Sequence, residues 1–198
     1  MPVVSPGNSK LGKLPNVSLV PVRDCTNCKA CAKECYALKA LKAWPSVKQS
    51  WTTNSDLLRA DPDKYFREVA FYLAKHSPRF FRIHVAGDFI SRRHLAGWLR
   101  IARAFPNTRF LAFTKSFAFL PAHKSLPDNV SLVVSLFPSM KAPRHAGYSI
   151  AYAGDPMDYK GRHRARALAA IDCPGNCENC GACWSLARHV LDVVFPMH

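Results

Sequence analysis

The chain has 198 residues, and its 28 Lys and Arg against 13 Asp and Glu give a formal net charge of +15. With 48% hydrophobic and 21% charged residues it is not a disordered chain, and its length suits one domain, residues 1–198, with a real core. The best apolar run, residues 130–137, contains two serines and falls far short of the roughly 20 residues that cross a bilayer, so no membrane partner is expected. The first residues lack a charged leader followed by an apolar stretch, and a reducing cytoplasm is the expected compartment.

Residues 1–16, with Pro2, Pro6, Gly7, Gly12 and Pro15, read as an irregular lead-in. A short β-type run over 17–22 follows, and then the first cysteines. Residues 37–43 have helix-forming composition and stop at Trp44-Pro45. Asp61-Pro62-Asp63 starts a helix over 64–76, with Tyr65, Val69, Tyr72 and Leu73 on one face. Residues 80–86 read as a strand broken by Gly87-Asp88. Ser91 caps a helix running to Ala104, with Leu95, Trp98, Leu99, Ala102 and Phe105 at helical spacing. Further strands are predicted over 109–114, 130–136, 148–153 and 190–195.

Strands alternating with helices predict an α/β fold with a mainly parallel sheet. Right-handed crossovers would curl it into a partial, open TIM-like barrel, with cysteine-rich segments near both termini. The predicted strand tips carry polar or glycine residues: Gly87-Asp88, Thr114-Lys115-Ser116, Ser135 and Gly154-Asp155. In parallel α/β folds these ends form the ligand face. At a period of two, His84, Ala86 and Asp88 would share a side, which makes His84 and Asp88 candidate catalytic groups. A core histidine bonded to a carbonyl is the plainer reading of His84. Lys115, at a tip, is a candidate for holding an anionic ligand.

All eight cysteines fall in two groups, 25–35 and 173–183. Cys25, Cys28, Cys31 and Cys35 are spaced Cys-x2-Cys-x2-Cys-x3-Cys, the spacing of ferredoxin runs that hold a [4Fe–4S] cluster. A cubane offers several iron corners close together, so one looping segment reaches more than one of them. Cys173, Cys177, Cys180 and Cys183 carry the same spacings in reverse. Zinc also takes four thiolates, usually as two pairs across a longer spacer, and could still pair Cys25 and Cys28 with Cys180 and Cys183 across the fold. Both groups are therefore expected to bind metal, as two [4Fe–4S] clusters, and the two ends of the chain to meet.

Three segments together resemble a phage-encoded family, gene product 88. They are Asp24-Cys25 to Cys35-Tyr36-Ala37, the stretch 82–89 with Phe113-Thr-Lys-Ser116, and Cys173-Pro174 to Cys183-Trp184. The resemblance implies a virus-encoded iron–sulfur protein in the host cytoplasm, with a redox partner or host protein as its associate. The middle of the chain also resembles a shortened radical SAM (S-adenosylmethionine) barrel. There a cysteine loop after the first strand holds a cubane with one open iron, and an acidic tip on the second strand binds the SAM amino group. Here Asp88 stands at that tip. The radical SAM order Cys-x3-Cys-x2-Cys occurs only at Cys173, Cys177 and Cys180.

Two all-thiolate cubanes would each carry about −2, leaving a charge of roughly +11 that favours polyanions or an acidic partner. The densest basic run holds Lys160, Arg162, Arg164 and Arg166, the candidate nucleic-acid contacts. Arg92, Arg93, Arg100 and Arg103 lie on or near one helix. Three functions follow: an iron–sulfur protein for electron transfer, sensing or structure; a radical SAM-like enzyme; or a basic nucleic-acid-binding module stapled by clusters.

Overall fold

The computed structural model describes residues 4–7, 11–141, 147–185 and 191–195. Seven strands form one parallel sheet: β1 (Asn16–Val17), β2 (Phe80–Ile83), β3 (Arg109–Thr114), β4 (Val130–Leu136), β5 (Ile150–Ala153), β6 (Ile171–Asp172) and β7 (Val193–Phe195). Their order is β1-β2-β3-β4-β5-β7-β6. The sheet is open, with β1 and β6 at its edges, and does not close into the expected barrel. Six helices accompany it: α1 (Tyr36–Ala43), α2 (Pro45–Ala60), α3 (Pro62–His76), α4 (Arg92–Ala104), α5 (Gly161–Leu168) and the single turn α6 (Cys177–Cys180). Residue 190 of the last predicted strand, and residues 1–3 and 8–10 of the lead-in, lie outside the described residues.

The strand order explains which layer covers which face. From β1 to β5 the chain advances in one direction, and right-handed crossovers place successive helices on one face. There Tyr65, Phe66, Val69 and Leu73 of α3 and Leu95, Trp98 and Ala102 of α4 meet Phe81, Ile83, Phe110 and Val134 in the main core. The step from β6 back to β7 reverses direction. The same handedness then sends its connection, which contains the second cysteine group, across the opposite face. On that face Trp184, Cys173, Cys177 and Cys183 pack with Phe80, Leu111, Phe113, Val133 and Val193.

The helix signals behave as their chemistry requires. Asp61 caps α3 by accepting the Lys64 N–H at 2.8 Å, and Ser91 caps α4 by accepting that of His94 at 3.1 Å. The stretch 45–60, which carries no predicted element, is a full helix, because Pro45 is its first residue rather than the end of α1. Its inner face is polar, and that hides it from a hydrophobic-period reading. Asn54 Nδ2 donates to the Ser18 carbonyl at 3.1 Å, and Ser55 Oγ accepts the Val20 N–H at 2.9 Å. These side chains occupy the backbone of residues 18–20, and the strand predicted over 17–22 is confined to Asn16–Val17.

Strand β2 ends at Ile83, three residues before its predicted end, since His84 has φ +53° and turns the chain out of the ladder. Beyond it Gly87, at φ +77°, brings the loop against Leu19; a Cβ there would lie 2.6 Å from the Leu19 Cβ.

In α4, Gly97 abuts the Phe66 ring so closely that a Cβ would stand 2.1 Å from Cε2. Alanine favours helix by about 1 kcal/mol, but overpacking a core costs about 1–3 kcal/mol. Gly97→Ala is therefore expected to lower the unfolding free energy, measured by chemical denaturation, despite the better helix former.

Candidate functional site

The first cysteine group sits where the chain leaves β1 and meets the carboxyl-end tips of β2 and β3. The turn over residues 21–24 holds Val22 at φ +68° and aims its N–H at the Cys25 sulfur. Two short 3-10 turns, Cys28–Ala30 and Ala32–Glu34, carry the chain to Cys35, the residue that precedes α1. The Cys31 N–H donates to the Cys28 carbonyl at 3.1 Å.

This loop is tied down at several points. The Asp88 N–H donates to the Asp24 carbonyl at 2.7 Å. The buried Asp24 carboxylate pairs with Arg59, whose Nε lies at 3.1 Å, and with Arg23 at 3.4 Å. The hydroxyls of Thr26 and Ser116 share a hydrogen bond, Asn27 donates to the Lys115 carbonyl, and the Tyr36 hydroxyl donates to the Val85 carbonyl. Asp88, 2% exposed, is the hub of the tips. Its Oδ1 accepts from the Thr114 hydroxyl and the Phe89 N–H, and its Oδ2 from the Lys115 N–H, each at 2.7 Å. Burial raises its pKa, and these donors act against that rise.

The thiols feel their surroundings strongly. Burial pushes Cys25 up to about 12; the Val22 amide and Lys115 pull it down, whereas Asp88 and Cys28 add to the rise. Cys31 is also raised by burial, with Lys115 opposing and Cys28 and Cys35 adding to it. Lys115 thus stands as the cation of this group, its Nζ 5.5 Å from the centre of the Phe137 ring.

The second group lies on the sheet face itself. The Cys173 N–H donates to the Val194 carbonyl at 2.9 Å, which anchors the group to β7. Asn176 caps α6 through the Asn179 N–H at 3.2 Å, and Gly181 leaves it at φ +59°. Burial pushes Cys183 up to about 12; Arg82 lowers it, and Cys173, Cys177 and Cys180 raise it further. Lys13 N–H donates to Glu178 Oε2 at 3.2 Å, so the two ends of the chain do meet.

Arg82 stands on the sheet face that carries the second group. Its guanidinium lies 4.2 Å over the Phe113 ring, and its buried Nε has no hydrogen-bond partner. Charge on Cys173, Cys177, Cys183 and Tyr36 acts on it, while Tyr36 in turn feels Cys25, Cys31 and Cys35. The Trp184 indole N–H, beside Cys183, is likewise buried without a partner.

All eight cysteines are free thiols. Among the described residues, no three or more His, Cys, Asp or Glu side chains converge as a single metal ion needs. One zinc requires four sulfurs about 2.3 Å from a common point. A cubane instead spreads its ligand sulfurs over separate corners. The two orphaned N–H donors beside the second group also suit an anionic, sulfur-rich body.

Residues 4–186 match the family described as Gene product 88. The chain belongs to the gene product 88 family. The Gene 88 protein of Mycobacterium phage L5 is 30% identical over 219 residues, covering 96% of this chain and 90% of that protein. The Gene 88 protein of Mycobacterium phage D29 is 29% identical over 220 residues, with the same coverage. No solved structure matches the chain. This is a bacteriophage-type protein, as the cysteine and strand-tip segments imply.

Within this gene product 88 chain, His84 and Asp88 do not share a side, because β2 ends before them. His84 packs on the helix side against Phe89, His94 and Trp98, at ring distances of 5.3, 5.0 and 6.0 Å. Both of its ring nitrogens are buried without the carbonyl partner expected for it. The basic run forms α5. Arg166 is bidentate to Asp192, with both contacts at 2.7 Å, and Arg164 donates to the carbonyls of Tyr159 and Met157, both at 2.8 Å. Of the four candidate nucleic-acid contacts, Lys160 and Arg162 are exposed. Arg92, Arg93, Arg100 and Arg103 lie on the exposed side of α4. Sequence reasoning assigned no role to Asp24, Tyr36, Arg82 or Trp184. Asp24, Tyr36 and Trp184 each adjoin a cysteine, and all four stand in the segments that carry the family resemblance, which are the signals that could have found them.

Asp88→Asn would set an amide N–H₂ against one of three donors, and a cost of about 1–3 kcal/mol is expected in chemical denaturation. Burial also pushes His94 down to about 3, with Asp24 opposing, and His84 well below its ordinary value. The unfolded chain takes up protons near pH 6.5 and the native chain does not, so stability falls as pH drops from about 6.5 toward 3. Each such histidine steepens that fall by up to about 1.4 kcal/mol per pH unit. His94→Gln, which can still accept the Trp98 indole N–H, should flatten the fall in denaturation midpoints measured between pH 7 and 5.

Proposed function

We propose that this chain is an iron–sulfur protein with two [4Fe–4S] clusters, one on Cys25, Cys28, Cys31 and Cys35 and one on Cys173, Cys177, Cys180 and Cys183, and that it carries electrons. The observation behind this reading is that no cysteine lies outside the two groups and that Cys173, Cys177 and Cys183 pack into one cluster on a single sheet face. The ferredoxin-like spacings supply the cluster type. Eight thiols, seven half-buried and Cys180 exposed, also need a reducing compartment to stay unpaired, which fits the cytoplasm of a host cell.

Four thiolates per cluster leave no iron open, so the clusters would exchange electrons without binding substrate. The folding of Asp88 favours this reading over a SAM-dependent reaction. Both of its carboxylate oxygens hold the tips of β2 and β3 together, whereas a SAM-binding acid would have to face a ligand. The resemblance to a radical SAM barrel then concerns the parallel sheet and the position of the cysteine loop.

Anaerobically purified protein is expected to be brown and to hold about eight iron and eight acid-labile sulfide per chain. Replacing Cys28 and Cys31 together, or Cys177 and Cys180 together, by serine should halve both contents. The EPR spectrum of the reduced protein should not change when SAM is added. A colourless chain containing zinc would overturn the proposal, and a spectrum altered by SAM would replace electron transfer with the enzyme reading.

A further inference from the structure

We infer that Arg82 and Trp184 donate hydrogen bonds to the group held by the second set of cysteines, and that they set its reduction potential above that of the first. The inference rests on the cluster reading and adds an asymmetry to it. Few side-chain polar atoms are buried without a partner among the described residues: Tyr65 Oη, Ser149 Oγ, both nitrogens of His84, Arg82 Nε and Trp184 Nε1. Arg82 Nε and Trp184 Nε1 alone among these belong to groups that can only donate. Such donors, dry and unanswered, each cost free energy comparable to a lost hydrogen bond, more where the group is charged.

Both lie on the sheet face that carries the second cysteines. Strand alternation puts Arg82 on the same face as Phe80, which contacts the Trp184 ring at 5.4 Å. Trp184 is 4% exposed and packs in one apolar cluster with Cys173, Cys177 and Cys183. Protein acceptors are missing at both donors, and the sulfur atoms of an anionic cluster are the acceptors this face would offer.

A reduced cluster carries one more negative charge than an oxidised one. Nearby N–H donors and a fixed cation favour the reduced form and raise the potential. The first group has a different setting. Its cation Lys115 gives its backbone N–H to the buried Asp88 carboxylate at 2.7 Å, so a negative charge stands beside the positive one. The second group has an arginine and an indole N–H, both buried without a partner, and its neighbours in the chain Asp172 and Glu178 are exposed. Electrons entering at the first cluster would therefore run down toward the second.

The test is a potentiometric titration of the anaerobically purified full chain, followed by EPR. Trp184→Phe keeps the ring and removes only the N–H, while Arg82→Met keeps the length and removes the charge. Each is expected to lower the midpoint of one signal and leave the other in place. The signal that moves should be the one lost in Cys177→Ser and kept in Cys28→Ser, and it should have the higher midpoint in the unmodified protein. Circular dichroism checks that Arg82→Met is folded, and the near-isosteric Trp184→Phe tests the idea if it is not. Unchanged midpoints, or equal shifts of both signals, would overturn the inference with the clusters intact. A chain without iron and sulfide would overturn the cluster reading itself.

Discussion

The handedness of parallel crossovers governs this structure. Five strands laid down in one direction commit the helices to one face, and α3 and α4 bury a continuous aromatic layer there. The other face would be an exposed apolar surface of Leu111, Val133, Phe113 and Val193. The single reversal, from β6 back to β7, delivers residues 173–185 onto that surface. The cysteines of the second group are thus part of the cover of the sheet, and Trp184 is the side chain that seats them.

The first group is placed by a different interaction, the hydrogen bonding of buried carboxylates at the strand tips. Asp88 binds β2 to β3, and the Asp88 N–H binds the Asp24 carbonyl that precedes Cys25. Asp24, 1% exposed, is held by Arg59 from α2. A buried carboxylate is tolerable only with such partners, so the helix, the cysteine loop and two strand ends are mutually dependent. Polar contacts at the tips and apolar contacts on the face give the two groups different surroundings. Identical spacings read in opposite directions do not imply identical chemistry.

Several elements were legible because their side chains follow a period that the backbone imposes. The stripe on α3, the Ser91 cap of α4, the apolar run of β3 and the valine-rich run of β4 stand where their patterns predict. The failures are equally physical. The inner face of α2 reads as solvent-facing because Asn54 and Ser55 serve backbone groups instead of a hydrophobic core. His84 was assigned to the wrong side because one residue in the left-handed region cancels strand alternation. Arg166 looks like part of a solvated basic run, yet its guanidinium is committed to Asp192, 26 residues away.

By itself the amino-acid order determined the composition of the site: eight cysteines in two short segments, polar strand tips, and the membership of the chain in the gene product 88 family. Local spacing carries that information because it can be read along the chain without knowing which distant residues meet. The tertiary structure alone decided that the sheet stays open, which face each cysteine segment covers, and that Arg82 and Trp184 attend the second group while Asp88 and Lys115 attend the first. Those facts depend on strand order and on contacts between residues far apart in the chain, such as Phe80 with Trp184, and no local pattern encodes them.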